Sequence, residues 1–414
     1  MKKELLRKKI VVVGMGYIGF PTAVLFAKAG FVVCGVDIDS KKIDMLSRGI
    51  SPFEEPGLNE AFRLAKNRMT FSTEIESGDV YIIAVPTPLD TKRHKADLSF
   101  VKAASHSVAS VLTEGALVVL ESTVPPGTAE KLCHPIFQKK TNRYYLAHAP
   151  ERAFPQKTLF EMVQNDRIIG GSTKDAGEYA KKIYGSFVKG SIILTDATTA
   201  EFVKVLENSF RDVNIAFANE VAKVCEGIGV NVWEAISLAN RHPRVNILNP
   251  GPGVGGHCIA VDPWFLLEGG VPSRFIKLAR EINDAAPDRV VRMIQQSVKG
   301  INNPVIGILG VAYKKNIDDS RETPAKHIIE TLKKRGYAVY IHDPFVKKFD
   351  VPLDSLQSTL SKSNCLVLVT DHDNYRKLDF KNYKNITHIV DTRNFFHNVP
   401  PHIRLITLGT PFHL

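Results

Sequence analysis

Ile10-Val11-Val12-Val13 runs straight into Gly14-Met15-Gly16-Tyr17-Ile18-Gly19 and then into an apolar stretch ending at Ala27. The β-branched run reads as a fully buried parallel strand. The glycine turn leads into a helix through about Lys28, which Gly30 ends, and Phe31 to Val36 makes the next strand, closing on Asp37. Glycines at positions 14, 16 and 19 allow a tight turn and let a pyrophosphate approach the helix N-terminus, where free N–H groups and the dipole favour negative charge. Asp37 can accept hydrogen bonds from both ribose hydroxyls and would repel a 2′-phosphate, so the expected cofactor is NAD. Lys41 and Lys42 are the one nearby feature that would suit NADP. Glycines placed by chance are the alternative, and the strand–turn–helix–strand context argues against it.

Further apolar strands are expected at Val80–Val85, Leu117–Leu120, Tyr144–Ala147 and Ile192–Leu194. Strands alternating with helices imply a parallel sheet covered on both faces. From Ala200 to about Gly227 the pattern changes to a long helix, with a second helical piece at Val232–Asn240. An ordered Pro- and Gly-rich loop spans Arg241 to Asp262, and one more long helical stretch covers Arg274–Lys299. A second alternation starts at Pro304, with strands at Val305–Leu309, Ala338–His342, Cys365–Val369 and Ile389–Asp391; it has Gly307 and Gly310 but no complete glycine fingerprint. The fold class is therefore α/β: two Rossmann-like doubly wound domains joined by a central helical dimerisation block. The bounds are 1–198 for the NAD-binding domain, 199–300 for the central domain with its catalytic loop, and 301–414 for the C-terminal domain.

With 414 residues, 44% hydrophobic and 23% charged, the chain is a soluble globular protein too long for one ordinary core. Its net charge of +11 is scattered, with no long basic stripe interleaved with aromatics. That argues against a nucleic-acid partner and fits a phosphate-rich small molecule. Ile10 to Ala27 is uncharged for 18 residues, but its three glycines and Pro21 disqualify it as a membrane span or signal peptide. No membrane partner is expected, and a cytoplasmic location is. Five cysteines, widely spaced and without a Cys-x-x-Cys pair, argue against disulfides and against any metal site. Cys34, Cys133, Cys225 and Cys365 lie in apolar stretches and should be buried.

Cys258 has a different setting, Gly251-Pro-Gly-Val-Gly-Gly-His-Cys-Ile-Ala-Val-Asp262. Glycines let backbone approach a ligand closely, and a cysteine held there is placed to attack it. A purely structural turn is the equal alternative, and His257 reads as a neighbour rather than a base. Glu201, Lys204, Asn208 and Arg211 share one helical face. Spacing alone favours a solvated face with a Glu–Lys pair; the apolar neighbours leave open an inward polar stripe able to hold an oxyanion or relay a proton.

Taken with Ser122-Thr123-Val124-Pro125-Pro126-Gly127-Thr128 and Pro150-Glu151-Arg152, these segments resemble the UDP-glucose/GDP-mannose dehydrogenase family, in order, from about residue 8 to 400. Asn240-Arg241-His242-Pro243-Arg244-Val245-Asn246 and the cysteine loop are most similar to the branch acting on UDP-N-acetyl-D-mannosamine. Glucose enzymes typically carry Pro-Lys-Asp after the cysteine, where Ala260-Val261-Asp262 stands here. UDP-N-acetylglucosamine enzymes resemble this loop too. The resemblance implies a four-electron oxidation at C6 of a UDP-sugar through a thiohemiacetal and thioester on Cys258, with two NADH formed. It implies Lys204 as acid/base or oxyanion partner with Asn208 beside it, Asp262 activating water or relaying protons, and Glu151 and Thr123 helping to orient that water. Gly14, Gly16, Tyr17, Ile18, Gly19, Asp37, Thr87, Thr123 and Arg321 would contact NAD. Glu151, Arg152, Ala153, Lys204, Asn208, Arg211, His242, Arg244, Gly255, Tyr313 and Lys314 would contact the UDP-sugar, Arg241 competing with Arg244 for one role. The C-terminal domain would bind UDP, and the protein would be a homodimer or higher homo-oligomer, with His242 and Arg244 reaching the other subunit. A two-electron hydroxyacid dehydrogenase sharing the fold has no need of Cys258.

Overall fold

The computed structural model describes residues 2–268, 270 and 273–411. They form two compact units: Met1–Glu207 with Trp264–Val271, and Asn208–Pro263 with Pro272–Leu414.

In the first unit the strands are β1 (Lys9–Val13), β2 (Val32–Val36), β3 (Met69–Ser72), β4 (Val80–Ile83), the hairpin β5 (Leu89–Asp90) and β6 (Lys95–Ala96), β7 (Leu117–Leu120), β8 (Tyr145–His148), β9 (Arg167–Gly171) and β10 (Ile192–Asp196). Eight of them make one sheet in the order β10-β9-β8-β7-β4-β1-β2-β3. Its β3-β2-β1-β4-β7-β8 section is the dinucleotide-fold order, with the switch point between β1 and β4. Ile10, Val12, Ile82 and Val119 face one core cluster, whereas Val11, Val13, Tyr81 and Val118 face the other. Burial on both faces is why these strands are uninterrupted apolar runs. The helix Gly19–Ala29 is buried from Gly19 through Ala27, which accounts for the long uncharged run. Gly30, at φ 112°, closes it by donating its N–H to Ala27 and Phe26, a left-handed cap that a Cβ would strain.

The sheet is not wholly parallel, because β8 and β9 pair antiparallel and β9 carries β10 with it. Sequence reasoning missed β9 for a packing reason. A Cβ on Gly170 would stand 2.2 Å from Asp196 O, and one on Gly171 would stand 2.3 Å from Thr173 O. Close backbone packing demands glycine there and removes the apolar run that marks a strand.

The second unit has β11 (Val305–Leu309), β12 (Ala338–His342), β13 (Cys365–Leu368), β14 (His388–Asp391) and β15 (Arg404–Thr407) in the order β12-β11-β13-β14-β15. All pairs are parallel, the other common doubly wound order. A helix spans Ala197–Ile228, and another spans Val232–Ala239, capped by the Asn231 side chain. The expected single stretch over Arg274–Lys299 is two helices, Arg274–Asp284 and Ala286–Ser297. Pro287 stands in the first turn of the second helix, where its missing N–H costs nothing but the preceding helix cannot continue through it. Among the described residues no helix is long and apolar enough to cross a membrane.

Candidate active site

In the first unit two of the fingerprint glycines are required by the protein itself. A Cβ on Gly14 would stand 2.4 Å from Ala84 O, and one on Gly19 would stand 1.9 Å from Gly14 O. A Cβ on Gly16 would meet nothing within 4 Å, so that backbone is open to a ligand. The following helix has no side-chain cap at its N-terminus and no acidic residue in its first turn, which suits a phosphate. Asp37 accepts from Met15 N (2.8 Å), Asp39 N (3.0 Å) and Lys42 Nζ (2.8 Å). Burial alone would raise its carboxyl, and these partners hold it below the usual range. Thr87 Oγ1 donates to Thr123 O at 2.7 Å, joining the loops that follow β4 and β7. Tyr17 is exposed and stacks on Phe53, with Ile18 half-buried beside it. Together these groups fit a dinucleotide: Gly16 and the helix end for the pyrophosphate, and Asp37 for a ribose.

Lys204 and Glu151 are buried together in the same unit. Lys204 Nζ donates to Glu151 O (2.7 Å) and lies 3.3 Å from Glu151 Oε1. Ala153 N donates to Glu151 Oε2 (2.5 Å), and Arg152 pairs with Glu207 (2.6 Å). Glu201 accepts from Gly127 N (2.5 Å) and Ala129 N (2.7 Å), which pins the loop carrying Thr123. Burial pushes its carboxyl up to about 7. Glu201, Lys204 and Asn208 are all buried, and Glu201 and Lys204 are engaged with other partners. The solvated-face reading of this stripe is therefore wrong: helical spacing names a face but not the direction it points.

Close by, burial, reinforced by Arg167 and Lys204, pushes the His148 imidazole down to about 3. Its folded pKa lies below the unfolded value of about 6.5. The contribution is therefore full above pH 6.5 and is lost progressively as pH falls towards 3. Relative to His148→Asn, the wild type should lose stability at up to about 1.4 kcal/mol per pH unit over that window. Urea unfolding of both proteins at several pH values checks this; parallel pH profiles would exclude it.

In the second unit Asn208 Nδ2 donates to Asp262 Oδ2 at 2.5 Å, and both residues are buried. Cys258 O accepts from Val261 N (3.0 Å) and Asp262 N (2.8 Å), a tight turn leading into the short helix Asp262–Leu267. Cys258 is half-buried, whereas the other four cysteines are buried, as expected. Burial pushes the thiols of Cys34 and Cys365 up to about 12 and that of Cys133 to about 11, which makes them inert. Arg211 and Tyr313 lie within electrostatic reach of Cys258 and of each other. Burial lowers the guanidinium and raises the phenol.

Two glycines of the cysteine loop are required by the protein's own packing. A Cβ on Gly255 would come within 2.6 Å of Glu322 O and 2.8 Å of Tyr313 Cβ, and one on Gly256 within 2.9 Å of the Tyr313 ring. Gly256 N donates to Arg321 O (3.0 Å), and Arg321 itself is held by Asp319 (2.6 Å). Lys314, Arg241, His242 and Arg244 are exposed. Arg244 N donates to His242 Nδ1 at 3.3 Å.

A chain of buried amides escaped the sequence reading. Asn219 Oδ1 accepts from Gly251 N (2.9 Å) and Asn219 Nδ2 donates to Asn283 Oδ1 (3.0 Å). Asn283 Nδ2 donates in turn to Asp212, which also holds Arg280 at 2.5 Å. The cysteine loop thus hangs from the long helix. The available signal was Asp212 and Asn219, seven residues apart on one helical face between alanines.

Residues 8–188, 198–285 and 307–398 match the NAD binding, central and UDP binding domains of the UDP-glucose/GDP-mannose dehydrogenase family. The chain belongs to that family. It is 46% identical over 406 residues to UDP-N-acetyl-D-mannosamine dehydrogenase of Methanococcus vannielii, covering 95% of this chain and 94% of that one. It is 45% identical over 410 residues to NDP-N-acetyl-D-galactosaminuronic acid dehydrogenase of Ralstonia nicotianae, covering 94% and 96%. The solved UDP-D-ManNAc dehydrogenase of Pyrococcus horikoshii superposes with a TM-score of 0.91 at 39% identity, covering 97% and 99%. As a family member this protein is an NAD-dependent oxidoreductase with a UDP-binding domain.

Proposed function

We propose that the protein oxidises C6 of UDP-N-acetyl-D-mannosamine from alcohol to carboxylate in two two-electron steps. The half-buried Cys258, with Arg211 and Tyr313 around it, carries the reading. The likeness to UDP-N-acetyl-D-mannosamine dehydrogenases supports the sugar, as does Ala260-Val261-Asp262 without the lysine of glucose enzymes. NAD, when bound, accepts one hydride in each step. Lys204, buried on Glu151, holds the developing oxyanion or moves the C6 hydroxyl proton, with Asn208 as a second donor. Cys258 Sγ adds to the aldehyde, giving a thiohemiacetal whose oxidation leaves a thioester. Water, oriented by Glu151 and Thr123 and deprotonated towards Asp262, cleaves the thioester and returns the thiol. Arg152, Ala153, Arg211, Gly255, Tyr313 and Lys314 hold the UDP-sugar; Thr87 and Arg321 help to hold the dinucleotide.

NADH absorbance against a panel of UDP-sugars tests the substrate. The N-acetylmannosamine sugar should give the highest kcat/KM and two NADH per sugar. Higher kcat/KM with UDP-glucose, or with the gluco- or galacto-configured N-acetyl sugar, would transfer the assignment to that substrate.

The proposal includes a homodimer built on the helix Ala197–Ile228. Phe210, Phe217, Val224 and Ile228 are 64%, 53%, 61% and 69% exposed on one face of it, a larger run of apolar side chains than a solitary surface helix carries. A second copy would cover this stripe, with the exposed His242–Arg244 turn reaching the partner's substrate. Sedimentation velocity that finds only a monomer would remove this part.

A further inference from the structure

Both Rossmann-like halves end their second strand with an aspartate, Asp37 after β2 and Asp343 after β12. Asp37 is half-buried. Asp343 is buried, and the protein occupies its carboxylate entirely. Oδ2 accepts from Val311 N (2.7 Å), Ala312 N (3.0 Å) and His372 Nε2 (3.0 Å), and Oδ1 from Phe345 N (2.8 Å) and Val346 N (2.9 Å). A carboxylate offers about four lone-pair sites, so nothing remains for a ribose hydroxyl. The position that reads a ribose in a dinucleotide fold is turned inward here, towards the loop after β11.

His372 carries that anchorage to the far end of the same loop. It is fully buried, and its Nδ1 accepts from Asn316 N at 2.8 Å. Nδ1 must therefore present its lone pair, and the ring proton sits on Nε2, donated to Asp343. Asn316 has φ 60° and exchanges two further bonds with Asp373: Nδ2 to Oδ2 at 2.6 Å and Asp373 N to Oδ1 at 3.0 Å. Thr370 Oγ1 donates to Ala312 O (2.5 Å), and Tyr313 N donates to Asp319 O (3.0 Å). The segment from Val311 to Asn316 is fixed at both ends, with Tyr313 and Lys314 between.

We propose that His372 is a positioning residue for the nucleotide-sugar: by bridging Asp343 to Asn316 N, it fixes the loop that presents Tyr313 and Lys314. The inference rests on the reading above, in which Tyr313 and Lys314 hold the UDP-sugar. Glutamine at 372 keeps a donor near Nε2 but no acceptor for Asn316 N, whereas asparagine keeps an acceptor near Nδ1. His372→Gln should raise KM for the UDP-sugar about tenfold, the worth of one buried hydrogen bond. KM for NAD and kcat should stay within about twofold. His372→Asn should recover part of the loss. A parallel rise in KM for NAD, or equal effects of Gln and Asn, would mean general loosening and overturn the proposal. So would an unchanged KM for the UDP-sugar in His372→Gln while Lys314→Ala raises it. An unchanged KM in Lys314→Ala and Tyr313→Ala as well would overturn the loop assignment itself, and the proposal with it. If the His372 variants do not fold, nitrogen-15 NMR of the wild-type imidazole decides: the ring proton must sit on Nε2 with Nδ1 accepting, and a proton on Nδ1 would overturn the bridge to Asn316 N.

Discussion

Cys258→Ser is expected to release at most one NADH per active site and to lower overall turnover by about a thousandfold or more, the scale of losing a covalent nucleophile. A thiol titrates near ~8.5 and supplies thiolate at neutral pH; a serine hydroxyl does not ionise there and needs an adjacent base. The variant should therefore oxidise C6 once and hold or release an aldehyde. Single-turnover absorbance with enzyme in excess would show about one equivalent of NADH instead of two, and a carbonyl reagent would trap the product. Undiminished formation of two NADH would sink covalent capture by Cys258. Undiminished turnover with one NADH in both proteins would favour the two-electron hydroxyacid chemistry.

The first half of the fold was legible because its signals are demands of the backbone. Gly14 and Gly19 are required by contacts with Ala84 O and Gly14 O, so they stand in the sequence whatever binds beside them. Cys258 stands out only through the order of several motifs, since its own glycines pack on Tyr313 and Glu322 and would look the same around a structural turn. The Glu201–Asn208 stripe was misread because a helical period carries no sign. What decides its direction is Gly127, Ala129 and Glu151, between 50 and 75 residues away. The same holds for His372 and Asp343, which are 29 residues apart: neither has a local cue, and only the pairing of β11 with β12 and β13 brings them together.

Glu121, a charge directly after the apolar run Leu117–Leu120, carries the largest stability effect we expect. Its carboxylate binds Arg167, accepts from Thr22 Oγ1 on the glycine-motif helix (2.9 Å), and accepts from Tyr184 OH (3.3 Å). Arg167 donates to Ala149 O (2.7 Å), two residues before Glu151, and lies over the Tyr184 ring. Both charges are buried, so breaking the pair differs from removing it. Arg167→Met should cost about 3–5 kcal/mol, because it strands the Glu121 charge, while Glu121→Leu with Arg167→Met should recover most of that loss. Burial already pushes the Glu121 carboxyl up against the pull of Arg167. Without Arg167 it should rise further, so the deficit of the single variant should grow as pH rises above the usual carboxylate range and shrink at lower pH as Glu121 takes a proton. A Trp233→Phe background leaves Trp264, in the first unit, as the only tryptophan, and its fluorescence in urea reports this unit alone. Equal losses in the single and double variants would show that Arg167 acts through packing on Tyr184. A deficit independent of pH would show that Glu121 is not the group left stranded.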